Sequence, residues 1–269
     1  MRDRESVPRG LRIAISPCPN DIFVFGKWMD GEVHASGLRP SFEFLDIDQL
    51  NRRGLEEDPP EVLKFSFAHY ASLRERYRLC EVGAALGHGV GPLVIARGTA
   101  GLESRKGVIV PGLETTACRL LRRYGPAGIR LRKERYDRIM PLLQSEDDWA
   151  GLIIHESRFT YLEQGFFLLM DLGQQWEKEF NLPLPLGGVG ILRSLPSLEV
   201  EEIEGAMRRS LEAARANPLA LMPLMQMYAR EMDPRVIMAH VGLYVNEYTL
   251  ELGGVGHEAV ERLLGVGPE

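Results

Sequence analysis

The sequence predicts an α/β protein of two lobes, each a mostly parallel sheet flanked by helices, joined by two crossover strands with a cleft between them. Three observations carry this. Short β-branched apolar runs alternate with amphipathic stretches from the start of the chain, the rhythm of a parallel sheet covered by helices. The chain has 269 residues, about twice the commonest domain size, which leaves room for two modest lobes. Two extended apolar segments, PLVIAR at 92–97 and GGVGILR at 187–193, divide it, and a chain that leaves a lobe and comes back must cross twice. On this reading residues 1–96 with 197–269 form the first lobe and residues 97–196 the second.

The elements follow in order. Leu11 to Ile15 is a short apolar strand that ends in the turn SPCPND, and IFVFGKWM then reads as a helix capped by Asn20 or Asp21. From Leu38 to Ile47 apolar and polar residues alternate as in a half-buried strand; DQLNRRGLEED is helical until Pro59 and Pro60 stop it. EVLKFSF is a further strand with AHYASLRERY helical behind it, and the glycine-rich GAALGHGVGP then breaks the rhythm. In the second lobe the strand GVIVP runs into the turn and helix GLETTACRLLRRYG; IRLRKERY reads as a strand and DRIMPLLQSEDDW as a helix holding a proline. GLIIHE is a strand with a sharp polar end, and DLGQQWEKEF a helix before the Pro/Gly-rich return. From Ser197 onward the chain is helical: Val200, Ile203, Met207, Leu211 and Ala214 recur at three- and four-residue spacing, with acids in the first turn.

Composition narrows the function. With 32 Lys and Arg against 38 Asp and Glu, the net charge is −6, a balance that argues against a nucleic-acid partner, whose affinity rests on phosphate neutralisation. Cys18, Cys80 and Cys118 are too few and too widely spaced for a disulfide framework or a zinc knuckle. The N-terminal MRDRESVPRG is polar, and no apolar stretch suits a signal sequence or a membrane span, so reduced thiols, a cytoplasmic location and no membrane partner are expected. His34, His69, His88, His240 and His257 are scattered, without metal-ligand spacing. No nucleophile elbow, P-loop or EF-hand supports a hydrolase or NTPase. Gly87, Gly89 and Gly91 lead into a strand rather than a helix, which excludes a dinucleotide loop; they mark a close backbone approach to ligand or hinge, or an ordinary irregular turn.

Three strand-to-helix junctions present polar residues to the expected cleft: Ser16 to Asp21, Lys64 to Ser66, and Thr115 with Thr116. Free N–H groups at helix starts, with hydroxyls beside them, suit a small-molecule substrate carrying a carboxylate. Ordinary capping is the competing account of each. Lys64 is either a partner for an acidic ligand or a surface charge. His155 ends the strand GLIIHE and can take or give a proton near neutrality; without a carrying motif, a lone strand-end histidine is as a rule structural. Phe159 stands where an HExxH zinc motif needs its second histidine. Cys18 lies near a helix start but between prolines and without an obvious base, which suits a small buried residue better than a nucleophile. His240, Tyr244 and Asn246 either line the cleft or satisfy interior polar groups, the latter being the ordinary expectation.

SPCPNDIFVF, KFSFAHYA, GAALGHGVGPLVIAR, PGLETTA, RYDRIMP, GLIIHESRFTY, LPLPLG and AHVGLYVNEYTLELG, in this order from Leu11 to Gly253, resemble the 1,4-dihydroxy-6-naphthoate synthases of the futalosine route to menaquinone. The resemblance implies a type II periplasmic binding protein-like fold without export, and a lyase that needs no metal or organic cofactor. It implies cyclic dehypoxanthinylfutalosine as substrate, with 1,4-dihydroxy-6-naphthoate and a sugar-derived fragment as products. It makes His155 the proton acceptor, Lys64, Phe65 and Ser66 one wall of the substrate site, Thr115 and Thr116 another, and Asn20 a further cleft contact. GGVGILR departs from the family's usual strand, and ten mostly polar residues precede the first strand. The competing readings are a non-catalytic binding protein for a small aromatic carboxylate, and chorismate dehydratase of the same pathway, from which GLIIHESRF points away.

Overall fold

In the computed structural model, which describes residues 8–229 and 233–265, the apolar runs become the strands of two sheets. The expectations for the polar leader before Pro8 and for the end of the first lobe beyond Gly265 fall outside the described residues. One sheet takes β1 (Arg9–Ile15), β2 (Leu38–Phe44), β3 (Val62–Ser66), β4 (Tyr77–Leu79) and β5 (Ala85–Gly87). The other takes β6 (Leu93–Ala96), β7 (Val108–Val110), β8 (Leu131–Lys133), β9 (Ala150–Ile153) and β10 (Phe167–Asp171); β11 (Leu184–Leu192) returns to the first. The strand orders are β2-β1-β3-β11-β4, with β5 also on β11, and β10-β6-β9-β7-β8.

The two-lobed α/β fold stands, with two differences from the sequence reading. Both sheets are mixed rather than mostly parallel. β1 runs parallel to β2 and β3, and β7 to β8 and β9, through helical crossovers. The strands that arrive from the other lobe enter from the far end, so β11 is antiparallel to β3, β4 and β5, and β6 to β9 and β10. The same pairing moves the sheet boundaries away from residues 96 and 196. Leu93–Ala96 is a fully buried strand of the second sheet, and Leu184–Leu192 belongs to the first. Strands this apolar are paired on both sides, so the crossings are made by the less regular chain before them.

The helices are α1 (Pro19–Met29), α2 (Ile47–Arg53), α3 (Tyr70–Leu73), α4 (Thr116–Tyr124), α5 (Tyr136–Leu143), α6 (Ser157–Thr160), α7 (Leu172–Phe180), α8 (Ser197–Ala216), α9 (Met222–Tyr228), α10 (Pro234–Tyr244), α11 (Glu247–Leu250) and α12 (Gly253–Gly265). α1 packs against α8, α9 and α10, which buries it from Pro19 to Trp28. The apolar stripe of α8 is buried at each expected position. In the second lobe α5 lies on β9, and α7 on α4 and β6. Three local readings change. Cys18 caps α1, because Pro19 takes the first helical position, where its fixed φ and missing N–H cost nothing. α2 stops at Arg53, before Gly54. Residues 68–77 give only a short 3₁₀ turn and α3 before the chain joins β11 as β4. Among the described residues no helix is long and apolar enough to cross a membrane.

Candidate active site

The three polar junctions converge. They line a partly open cavity between the sheets, the kind of concave, mostly apolar setting with a few convergent polar groups in which small molecules bind. The first junction supplies Ser16, Asn20 and Asp21, the second Lys64 and Ser66, the third Thr115 and Thr116; His155 arrives from the end of β9, and His240 and Tyr244 from α10.

β3 is buried along its length, so its two faces look into different surroundings. Side chains alternate in a strand: Lys64 and Ser66 face the cavity, and Phe65 faces away. Phe65 is fully buried, stacked on Tyr70 with centroids 5.1 Å apart and edge-on to Phe67. It therefore belongs to the core and does not form a wall of the cavity, contrary to the sequence reading.

Lys64 is not a surface charge. Its side chain is 5% exposed, and Nζ lies 2.8 Å from Asp21 Oδ1 while donating to the Gly83 carbonyl at 3.0 Å. Asp21 also accepts from the Ser16 hydroxyl at 2.5 Å and from Asn20 Nδ2 at 2.9 Å. A buried charge pair survives only when its remaining hydrogen-bonding capacity is met, and Ser16, Asn20 and Gly83 meet it. The pair is neutral as a unit, so one end of the cavity is polar without being strongly charged.

A second part of the lining is built of hydroxyls that tie the lobes together. Thr115 is the N-cap of α4: its Oγ1 accepts from Cys118 N at 3.2 Å and donates to Gly112 O at 3.1 Å, so for this side chain the ordinary capping account holds. Thr116 N donates to Ser66 Oγ at 2.7 Å, and the two hydroxyl oxygens are 2.9 Å apart. Thr116 Oγ1 also donates to Leu186 O at 2.9 Å. A threonine hydroxyl has one proton. With that proton on Leu186, Ser66 is the donor between the two, and its proton is the one that can turn to an incoming oxygen.

His155 follows β9 and Ile154 in a left-handed conformation, φ 57°, where the backbone reverses and carries the ring to the cavity. Tyr136 meets the ring edge-on at 4.9 Å between centroids, and Cys18 Sγ lies 3.4 Å from Nδ1. Burial lowers the imidazole pKa to about 4; Asp21 pulls it back up and Lys64 pushes it further down. The ring is thus neutral near pH 7, with a lone pair available. Burial, then the charges of Glu156 and Asp21, raise the pKa of the Cys18 thiol well above its usual value. It stays protonated, in keeping with a small buried residue.

His240 and Tyr244 line the cavity, and His240 also satisfies an interior group: Nε2 lies 2.9 Å from Asn20 Oδ1. Asn246 has the interior role alone, donating to Leu86 O at 2.8 Å and capping α11. Of the glycine string only Gly91 makes the close approach, at φ 127°, lining the cavity and packing on the backbone of Gly173, while Gly89 faces open space as in an ordinary irregular turn. Sequence reasoning assigned Ser16, Asp21, His240 and Tyr244 no site role of their own, offering them only as junction residues or interior polar groups, yet all four line the cavity. Asp21 was visible in SPCPND, but its hold on Lys64 spans two strands, and His240 lies 220 residues from Asn20. Among the described residues no three His, Cys, Asp or Glu side chains gather where they could hold a metal ion.

Residues 11–269 match the family model described as menaquinone biosynthesis. The chain is 44% identical over 256 residues to the 1,4-dihydroxy-6-naphthoate synthase of Thermus thermophilus, covering 94% of this chain and 92% of the relative. It is 40% identical over 262 residues to that of Streptomyces coelicolor, covering 94% and 91%. Among solved structures, a protein of Archaeoglobus fulgidus superposes with TM-score 0.89 at 32% identity over 96% of each chain. The alkanesulfonate-binding protein of Xanthomonas axonopodis, solved bound to MOPS, gives TM-score 0.67 at 12% identity over 89% of this chain and 85% of its own, a likeness of the periplasmic binding protein-like fold.

Proposed function

The chain belongs to the menaquinone biosynthesis family, and from that membership we propose that it is a 1,4-dihydroxy-6-naphthoate synthase, a carbon–carbon lyase that acts on cyclic dehypoxanthinylfutalosine with His155 as general base. The observation that carries this reading is the neutral imidazole of His155, held at a strand end and turned into the cavity that the three polar junctions line.

The geometry suits the chemistry. The substrate carboxylate finds the Ser66 hydroxyl and the start of α4, whose dipole favours an anion. The sugar-derived ring then lies toward His155, which removes a proton as the ring opens and carbon–carbon bonding is lost. An imidazole of pKa about 4 is a weak base in the empty cavity, but an anionic guest beside it favours the imidazolium and strengthens it. The base is therefore strongest when substrate is present. Formation of the aromatic naphthoate supplies the thermodynamic drive, so the protein has only to orient the substrate, take the proton and steady charge on oxygen.

Incubating the purified protein with cyclic dehypoxanthinylfutalosine and following 1,4-dihydroxy-6-naphthoate tests the proposal. Product formation is expected with no added metal or organic cofactor. Absence of product, or conversion of chorismate to 3-enolpyruvylbenzoate instead, overturns it. Binding of the substrate without turnover leaves the solute-binding reading in its place.

A further inference from the structure

The hydrogen bonds around Asp21 settle which nitrogen of His240 carries a proton. A carboxylate only accepts, and Asp21 Oδ1 lies 2.8 Å from Lys64 Nζ and 2.9 Å from the side-chain nitrogen of Asn20. The amide of Asn20 is thereby oriented, with its NH₂ on Asp21 and its oxygen on His240 at 2.9 Å. An amide oxygen also only accepts, so the proton of His240 sits on Nε2. Burial, and then the neighbouring His155, lower the pKa of this ring well below its usual value, so it is neutral and has one proton to give. Nδ1 is left as a bare lone pair. Among the described residues it has no hydrogen-bond partner and almost none of its own surface is open, on a residue 1% exposed that contributes to the lining of the cavity.

We propose that His240 contacts the substrate, its Nδ1 accepting a hydrogen bond from a hydroxyl of the guest. This deepens the reading of the preceding subsection and rests on it. While the ring is neutral a carboxylate is disfavoured there, because two acceptors repel, so the group that meets His240 is a donor, and the hydroxyls of the guest supply it. The cavity thereby acquires a direction: the carboxylate end of the guest lies toward Ser66 and its hydroxyl-bearing end toward His240. The relay from Lys64 through Asp21 and Asn20 is what imposes it, since each member fixes the donor and acceptor sides of the next. The ring is also held in place. Tyr244 lies 4.6 Å from it and Phe159 6.4 Å between centroids, and His155 stacks over it at 6.3 Å, so both imidazoles meet the same guest.

Protein labelled with ¹⁵N in histidine, examined by two-bond ¹⁵N–¹H correlation with and without 1,4-dihydroxy-6-naphthoate, reads this directly. In the free protein His240 is expected as the pure Nε2–H tautomer, and at saturation its Nδ1 signal is expected to move as it accepts a hydrogen bond. A proton on Nδ1 in the free protein, or an Nδ1 signal unmoved at saturation while the His155 signals shift, overturns the contact and leaves the naphthoate reading intact. No histidine signal moving at any naphthoate concentration would bring down that reading and the contact with it. His240→Phe, which keeps an aromatic ring and removes the acceptor, is expected to weaken naphthoate binding and raise KM roughly tenfold, as for loss of one buried hydrogen bond. The acidic limb that belongs to His155 should remain, whereas an unchanged affinity in a folded variant would contradict the contact.

Discussion

A histidine held in a left-handed backbone conformation with its ring driven neutral by burial has consequences that can be measured. With His155 as the proposed base, the neutral form is the one that acts, so kcat/KM is expected to hold steady from neutrality downward and to fall only as pH approaches about 4. The limb in kcat should lie at higher pH, because the bound carboxylate raises the pKa of the same ring. Stability has its own pH dependence. The folded pKa lies below the unfolded value near 6.5, so the contribution of His155 is fully present above that value and is lost as pH falls from 6.5 toward about 4. The loss is at most on the order of 3 kcal/mol, because His155 is only partly buried, with His240 acting in the same direction. Denaturant unfolding at pH 7 and pH 4.5 checks it, and His155→Asn should flatten the dependence. Lys64→Met leaves the Asp21 carboxylate buried without its ammonium, and about 3–5 kcal/mol of unfolding free energy should go with it; a loss under about 1 kcal/mol would show that the pair is not buried in solution. His155, Ser66 and the threonines were legible as polar residues at the ends of apolar runs. Phe65 was misplaced because it was taken with its neighbours as a triplet, although strand alternation already separates it from Lys64 and Ser66.

Among the elements, those that satisfy one strong local rule were readable. The apolar stripe of α8, the Thr115 cap of α4 and the alternation of β2 each point to a single structure. β5 and β10 were not anticipated. β5 is three residues among glycines and exists through its pairing with β11. β10 is an edge strand that leaves Phe167 and Leu168 exposed, so it lacks the alternation that marks a half-buried strand. Where two elements touch through backbone, glycine is required. A Cβ on Gly173 would stand 1.9 Å from the Val90 carbonyl oxygen, so Gly173→Ala must push α7 away from the crossover that carries Gly91. A cost of roughly 2 kcal/mol in thermal or denaturant unfolding is expected, in the range of an overpacked core. A variant as stable as the parent would show that this contact yields.

Across the whole molecule, the two-lobed plan was legible because length, alternating elements and paired crossings all agree, whereas strand direction was not, since a crossing strand carries no mark of the end from which it enters. The lobes meet through Ser66 and Thr116, through Asn51 Nδ2 on Glu114 O at 3.2 Å, and through the ion pair of Lys133 with Asp48 at 2.5 Å. We propose that they part to admit the substrate and close over it; small-angle scattering should then show compaction when 1,4-dihydroxy-6-naphthoate is added, and an unchanged radius of gyration would count against it. The claim on which the functional account turns is that a neutral imidazole takes the proton. Binding and turnover of cyclic dehypoxanthinylfutalosine measured on one preparation of His155→Asn test it most directly, because asparagine tolerates the left-handed backbone and removes only the base. Substrate affinity within a few fold of the parent with turnover down by about 10²–10⁴ is the expected result; turnover at the parent's rate would contradict the account.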